Sequence, residues 1–238
     1  MIPLRDSIPN VHKPKAVWFF IILNAAVFLY GLSLGQRQLV EFFFTWGMVP
    51  ARHFSSAWGE ELALAGHAAP FITYMFLHSG WAHFLLNMWV LWIFADNIED
   101  VMGPLRFAIF YLLCGVAALA VHVLFNPYSD IPVVGASGAI AGIMGAYMML
   151  YPHGKVLTFI PIFIIPYFIE IPAVVFLAVW FFIQLATGLA TVAQGQEGGV
   201  AWLAHVGGFI AGILFLPIFR RRDRCYYCYD IKAGRSRH

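Results

Sequence analysis

Two side chains with the means to do chemistry lie in strongly apolar stretches of the chain. Ser137 lies in the motif GASG, and His205 lies in the run AHVGGFIAG. A serine hydroxyl is a weak nucleophile until a neighbouring base removes its proton, and histidine suits that task because its pKa lies near working pH. A serine and a histidine that meet in a water-filled recess would form a hydrolytic site.

A second polar group lies in the run HSGWAHFLLN, which contains His78, His83 and Asn87. His83 and Asn87 are four residues apart, so they fall on one face of a helix. His78 lies about 140° further round and belongs to the preceding loop or to another face. Polar side chains at membrane depth are costly and are functional candidates by default.

Other interpretations of these residues stay open at this point. Ser is a favoured N-cap, so Ser137 could simply cap a helix. A metal or haem protein could use His83 and His205 with His78 or His122 as ligands. The chain has no HExxH motif, however, and a metal site would leave Ser137 and Asn87 without a role.

The composition is that of a polytopic membrane protein. The 238 residues are 61% hydrophobic and 11% charged, with a mean hydropathy of +0.78, whereas a soluble domain is about half apolar and a quarter charged. The net charge of +2 is small, so the total charge does not indicate a nucleic acid or another acidic partner. Three cysteines do not make a disulfide framework, and Cys225 and Cys228 form a single CxxC, which is a weak signal for zinc.

Six apolar segments are predicted to cross the membrane, which makes the fold class an all-α, six-helix bundle. They are residues 16–34, 81–97, 106–125, 134–151, 173–191 and 200–219. Residues 35–70 mix aromatic and charged side chains, which is typical of a long first loop lying in the membrane interface. The predicted domains are a polar N-terminal segment (1–15), the membrane domain (16–219) and a basic tail (220–238).

The distribution of positive charge predicts the orientation. With six spans, twelve of the 14 Lys and Arg residues fall on the side of both termini, and only Arg37 and Arg52 fall on the other side. Both termini are therefore expected in the cytoplasm, and the loop before Ser137 is expected to face outward.

The segment 134–151 is expected to lie at the centre of the bundle. Small residues recur every four positions along it, so neighbouring backbones can approach closely, and Gly208 and Gly212 give the last span a matching GxxxG. From Ser137 to Pro152 a helix is roughly 24 Å long, and the hydrocarbon core is roughly 30 Å thick. Ser137 is therefore expected below the outer surface, in a recess that water can enter.

Together these motifs resemble the rhomboid family of intramembrane serine proteases. The resemblance is carried by GASG at 135–138, by His78-x4-His83-x3-Asn87 and by Ala204-His205-x-x-Gly208 with Gly212, all within residues 16–219. It implies a serine endopeptidase that cuts peptide bonds in or near transmembrane segments of other membrane proteins. No cofactor, metal or nucleic acid is implied, and the setting expected is a multi-pass protein of the bacterial inner membrane.

The resemblance also implies roles for individual residues. Ser137 would be the nucleophile and His205 the general base, with no acidic third member. His83, Asn87 and the backbone N–H of Ser137 would form the oxyanion hole. The remaining implied residues support the site: His78, Gly135 and Gly138.

The sequence departs from some members of the family in two places. Ala141 stands where an aromatic residue would pack on the base histidine, and the first loop has no adjacent Trp-Arg pair. The fifth span and the loop before the sixth would form the gate for a substrate helix. A catalytically inactive relative that only binds membrane clients is the alternative, although such a relative should lack Ser137 or His205.

Overall fold

The computed structural model describes residues 1–54, 68–162, 165–194, 201–230 and 235–236. The described helices are α1 (Lys15–Ser33), α2 (Gln36–Trp46), α3 (Ala51–Phe54), α4 (Pro70–Thr73), α5 (Trp81–Met102), α6 (Pro104–Phe125), α7 (Ser137–Leu150), α8 (Ala173–Ala193) and α9 (Trp202–Phe219). The described strands are β1 (Ile2–Asp6), β2 (Lys155–Ile162), β3 (Ile165–Pro172), β4 (Tyr229–Asp230) and β5 (Arg235–Ser236).

Four of these helices are long and apolar enough to cross a membrane, namely α1, α6, α8 and α9. Helix α5 is as long as α6, but its last two turns carry Asp96, Glu99 and Asp100. Helix α7 is apolar but only 14 residues long. The protein is therefore mostly helical with four candidate spans, and the count of six remains a prediction.

Helix α7 is buried at the centre of the bundle, where it contacts α5, α6 and α9. A Cβ on Gly208 of α9 would overlap the carbonyl oxygen of Gly138, and one on Gly212 would overlap the carbonyl oxygen of Gly142. The two backbones are thus in direct contact, because no side chain stands between them. The predicted close packing of the GxxxG helix against the thin central helix is confirmed.

The acidic end of α5 holds the N-terminal segment. The buried Glu99 carboxylate accepts hydrogen bonds from the N–H groups of Ala16, at 2.9 Å, and Val17, at 2.8 Å. Asp100 accepts one from the N–H of Val11 at 2.7 Å. Since the first N–H groups of a helix have no partner within it, Glu99 satisfies the start of α1 from a neighbouring helix.

A small antiparallel sheet corrects the expectation of an all-α fold. Its strand order is β1-β2-β3, so the N-terminal segment pairs with the hairpin that follows α7. Facing pairs include Ile2 with Phe159 and Phe159 with Phe168. The strands are rich in β-branched and aromatic residues, which pack well on a pleated surface, and Pro161 pairs with Pro166 near the hairpin end.

The segment predicted to be an interfacial loop begins as helix α2. It continues to Met48, which exchanges backbone hydrogen bonds with Val133 in the loop before α7. The Arg52 guanidinium lies over the Phe44 ring and donates to the Phe44 carbonyl oxygen. Residues 55–67 of that segment lie outside the described residues, and its position in the interface remains a prediction.

The start of the basic tail packs on the bundle. The N–H of Arg221 donates to the Val101 carbonyl oxygen at 3.3 Å, and Cys228 is buried. Cys225 and Cys228 form a disulfide.

Candidate active site

Ser137 is the first residue of α7, and the turn before it is made by Gly135. The φ angle of Gly135 is +125°, which side chains other than glycine rarely adopt, and its N–H donates to the Tyr74 carbonyl oxygen at 2.9 Å. Ala136 is the N-cap residue of α7, and the cap has no side-chain hydrogen bond. The alternative in which Ser137 caps the helix is therefore wrong.

The Ser137 hydroxyl is hydrogen-bonded to His205. The distance between Ser137 Oγ and His205 Nε2 is 2.7 Å. His205 lies in the first turn of α9 and is 8% exposed, and Ser137 is half-buried. The glycine contact between α7 and α9 brings the two side chains together, since Gly208 packs on Gly138 one turn further along.

Gln184 is a site residue that the sequence analysis missed. Its Oε1 lies 2.6 Å from His205 Nδ1, on the side of the ring opposite Ser137. Because a carboxamide oxygen only accepts, Nδ1 carries the proton and Nε2 is left as the acceptor for the Ser137 hydroxyl. Gln184 is the one carboxamide in the apolar helix α8, so the rule that singled out the other polar residues could have found it.

Two tryptophans and Gln184 contact the His205 imidazole. They take the place of the aromatic residue that the family resemblance predicted at position 141, where this chain has Ala141. The Trp180 ring lies 5.9 Å from the His205 ring at an interplanar angle of 30°. The Trp202 ring lies 6.1 Å away, nearly perpendicular to it. Both tryptophans come from helices other than α7, so His205 has aromatic packing although Ala141 provides none.

His83 and Asn87 face the same region from α5. A Cβ on Gly135 would lie 2.7 Å from His83 Nε2 and 3.8 Å from Ser137 Oγ. The side chains of His83 and Ser137 therefore both border Gly135. His83 Nδ1 is hydrogen-bonded to Ser79 Oγ at 3.1 Å. The Asn87 carboxamide donates to the His83 carbonyl oxygen at 2.9 Å, one turn back on its own helix.

His78 lies behind His83 and is not among the described residues that line the cavity. It is buried, and its ring lies 5.1 Å from the His83 ring and 5.5 Å from the Phe84 ring. Gly138, the other supporting residue predicted, allows α7 to approach Ala118 of α6. The structure therefore brings Ser137, His205 and His83 together and leaves His78 in contact with His83 alone among these residues.

A cavity of about 740 Å³ opens in front of these residues, between α5 and α8. Ser137, His205, His83, Asn87 and Gln184 all line it. On the side where α8 begins, the rings of α5 and α8 approach each other, since Phe94 and Phe176 are 6.5 Å apart. The Ser137 hydroxyl therefore borders a cavity large enough to hold water.

His122 also lines this cavity, from α6. Within the described ranges, no group of three or more His, Cys, Asp or Glu side chains is arranged to hold a metal ion. The described residues thus offer no cluster for the metal alternative.

Comparison with known proteins gives one family. The family model described as "Rhomboid domain" matches residues 65–222. The chain is 28% identical over 211 residues to "Rhomboid protein 1, mitochondrial" of Saccharomyces cerevisiae, covering 87% of this chain and 54% of that protein. It is 31% identical over 140 residues to "Rhomboid protease GluP" of Bacillus subtilis, covering 57% of this chain and 24% of that protein.

A third relative is "Presenilin-associated rhomboid-like protein, mitochondrial" of Mus musculus, which is 28% identical over 213 residues, covering 85% of this chain and 48% of that protein. The chain spans about half the length of these curated relatives, or less. Two of the three carry mitochondrial names, so the comparisons do not support the expected bacterial inner membrane. They agree with an integral membrane protein.

Proposed function

Because this chain belongs to the rhomboid family, we propose that it is an intramembrane serine endopeptidase that hydrolyses peptide bonds in or near transmembrane segments of other membrane proteins. The observation that carries the proposal is the 2.7 Å hydrogen bond between Ser137 Oγ and His205 Nε2, formed across two helices at the edge of a cavity. A hydroxyl paired with a neutral imidazole acceptor is the arrangement that activates a serine.

The reaction follows from that pair. His205 Nε2 takes the hydroxyl proton while Ser137 Oγ bonds to the carbonyl carbon, and the carbonyl electron pair moves to its oxygen. The imidazolium then gives the proton to the leaving amine nitrogen as the C–N bond breaks. A water molecule then gives a proton to His205 Nε2 and bonds to the acyl carbon. As the ester bond to Ser137 Oγ breaks, the imidazolium returns that proton to Oγ, which releases the new carboxyl end and restores both side chains.

The oxyanion formed in each half of the reaction needs hydrogen-bond donors. The N–H of Ser137 lies in the first turn of α7 and has no partner within the helix. When Ser79 donates to His83 Nδ1, His83 Nε2 carries a proton beside Gly135. Asn87 can join them after its carboxamide turns away from the His83 carbonyl oxygen.

Substrates are proposed to enter from the lipid through the opening between α5 and α8. Apolar side chains of both helices face outward here, among them Leu86 at 59% exposed and Ile183 at 52% exposed. The expected gate also includes the loop before α9, but residues 195–200 lie outside the described residues. Six spans with both termini on one side, and the three segments 1–15, 16–219 and 220–238, are part of the same proposal.

Cleavage of a single-span substrate by the purified chain in lipid vesicles tests the proposal. Ser137→Ala and His205→Ala should each abolish cleavage, since each removes one half of the proton transfer. Ser33→Ala and His153→Ala serve as matched controls and should cleave normally, because Ser33 bonds to its own helix and His153 packs against Tyr229. Activity that survives in Ser137→Ala or His205→Ala would remove the assignment.

Labelling with a serine-reactive fluorophosphonate separates the enzyme from a client-binding relative. The parent chain should become labelled and Ser137→Ala should not. Labelling and cleavage absent from the parent chain would favour the client-binding protein. Inhibition of cleavage by a chelator would favour a metal site.

A further inference from the structure

We infer that Gln184 is a positioning residue for the base: its side-chain oxygen holds the Nδ1–H of His205 and keeps Nε2 directed at the Ser137 hydroxyl. This inference rests on the proposed function. It extends the two-residue site to a third member, which is neutral and comes from α8, a helix that neither Ser137 nor His205 occupies.

The contact geometry is that of a buried, well-defined pair. Gln184 Oε1 and His205 Nδ1 are 2.6 Å apart, and the two residues are 6% and 8% exposed. A polar side chain in the middle of an apolar helix is costly unless it is bonded, so the contact accounts for the presence of Gln184. Trp180, one turn earlier on α8, packs on the same ring.

The bond decides which nitrogen of the imidazole carries the proton. A neutral imidazole has one N–H donor and one acceptor, and the partner at one nitrogen fixes the role of the other. With Gln184 at Nδ1, the basic nitrogen is the one beside Ser137. Without an acceptor at Nδ1 the proton could reside on Nε2, and His205 could not act as a base there.

A carboxamide also suits the protonated state of the ring. Once Nε2 takes the serine proton, Nδ1–H still donates to Gln184 Oε1, whose dipole stabilises the cation. A carboxylate in the same place would bind the imidazolium more strongly but would carry the penalty of a buried charge. Among the described residues, the titratable side chains that act on His205 are His83 and His122, which line the same cavity, and neither is an acid.

Three variants test the role through kinetics. Gln184→Met keeps the length of the side chain but removes the acceptor. We expect kcat to fall about tenfold to a hundredfold, with KM little changed. This loss is part of the rate enhancement of about 10²–10⁴ that a positioned general base contributes. Gln184→Glu keeps an acceptor and should retain turnover. The acid limb of its pH–activity profile should move up by about one pH unit or more, because a carboxylate favours the imidazolium. Thr187→Val is the matched control on α8, since Thr187 donates to its own helix carbonyl at Ile183, and its profile should not move.

A readout independent of activity uses nitrogen-15 labelled histidine in a Ser137→Ala background. The His205 signals, assigned by comparison with His205→Ala, should report a proton on Nδ1 while Gln184 is present. Adding Gln184→Met to this background should change the tautomer.

Three results would each overturn the inference: an unchanged kcat in Gln184→Met, an unmoved profile in Gln184→Glu, or an unchanged tautomer in the labelled protein. A parent chain that neither cleaves nor becomes labelled would instead overturn the proposed function.

Discussion

At the scale of single residues, the site is a line of hydrogen bonds that runs through the imidazole. Ser137 lies at one end, His205 in the middle and Gln184 at the other end. Each member comes from a different helix, so the line exists only when α7, α8 and α9 are assembled. Among the described residues, the line joins a half-buried serine to the imidazole and a carboxamide, and it contains no carboxylate.

Asn87 gives a prediction that separates catalysis from folding. Asn87→Ala should lower turnover about 10²-fold, the loss expected for one oxyanion donor, while the thermal unfolding midpoint changes little. Steady-state cleavage and thermal unfolding measure the two effects.

Asn24→Ala is the control for that measurement. Asn24 on α1 makes the same bond to the carbonyl oxygen four residues earlier, at 2.8 Å, but it is not among the described residues that line the cavity. Its turnover should equal that of the parent chain. Full activity in Asn87→Ala would show that Asn87 takes no part in binding the oxyanion.

The sequence was sufficient to bring Ser137, His205 and His83 forward as one site. Each lies in a short motif, and the helical spacing of His83 and Asn87 can be counted along the chain. Gln184 lies alone in an apolar helix, and its partner depends on how α8 crosses α9. Since that crossing is set by contacts distant in sequence, the third member of the line could not be assigned from spacing.

At the scale of elements, the contact between α7 and α9 determines the site. Glycines stand on both sides of it, so the separation of the two helices is fixed by main-chain atoms. The recurring small residues predicted this interface correctly. The sheet was not predicted, because β1 and β2 pair across about 150 residues and the prolines of the hairpin favoured irregular structure.

Gly212→Val tests the helix contact. The new side chain would meet the Gly142 carbonyl oxygen, so overpacking should cost about 1–3 kcal/mol and should also widen the distance between Ser137 and His205. Both a lower unfolding midpoint and a loss of cleavage are expected.

Gly35→Ala is the matched glycine control. A Cβ there would meet only the side chain of Gln38, at an ordinary contact distance of 3.7 Å. Stability and cleavage should match the parent chain. If Gly212→Val behaved the same way, the helices would have room that the described contact does not allow.

At the scale of the whole molecule, α5 joins two functions at its opposite ends. His83 and Asn87 lie near its start, while the acidic residues near its end hold the N-terminal segment and Val101 receives the start of the tail. The composition predicted the membrane class, but it could not show that the terminal segments pack on the bundle. Those contacts use carboxylates that, in the sequence alone, resemble a solvated helix end.

Glu99 gives a stability prediction at this scale. Glu99→Ala should lower the free energy of unfolding by about 2–4 kcal/mol, because two N–H groups at the start of α1 lose a charged acceptor. Glu99→Gln keeps one acceptor oxygen and should lose less. Thermal unfolding of the parent chain, Glu99→Gln and Glu99→Ala measures the three stabilities, which should fall in that order. Equal unfolding midpoints would mean that the N–H groups at the start of α1 find other partners.

The attachment of α5 at its acidic end bears on how a substrate could enter. Helix α8 is the least buried of the four candidate spans, with 28% of its apolar stretch inside the protein. Of the two helices beside the cavity, we therefore expect α8 to move more easily than α5. Gln184 lies on α8. If the proposed protease admits its substrate by an outward movement of α8, Gln184 would leave His205. The imidazole would then lack its orienting partner until α8 returned, so cleavage could begin only after the substrate was enclosed.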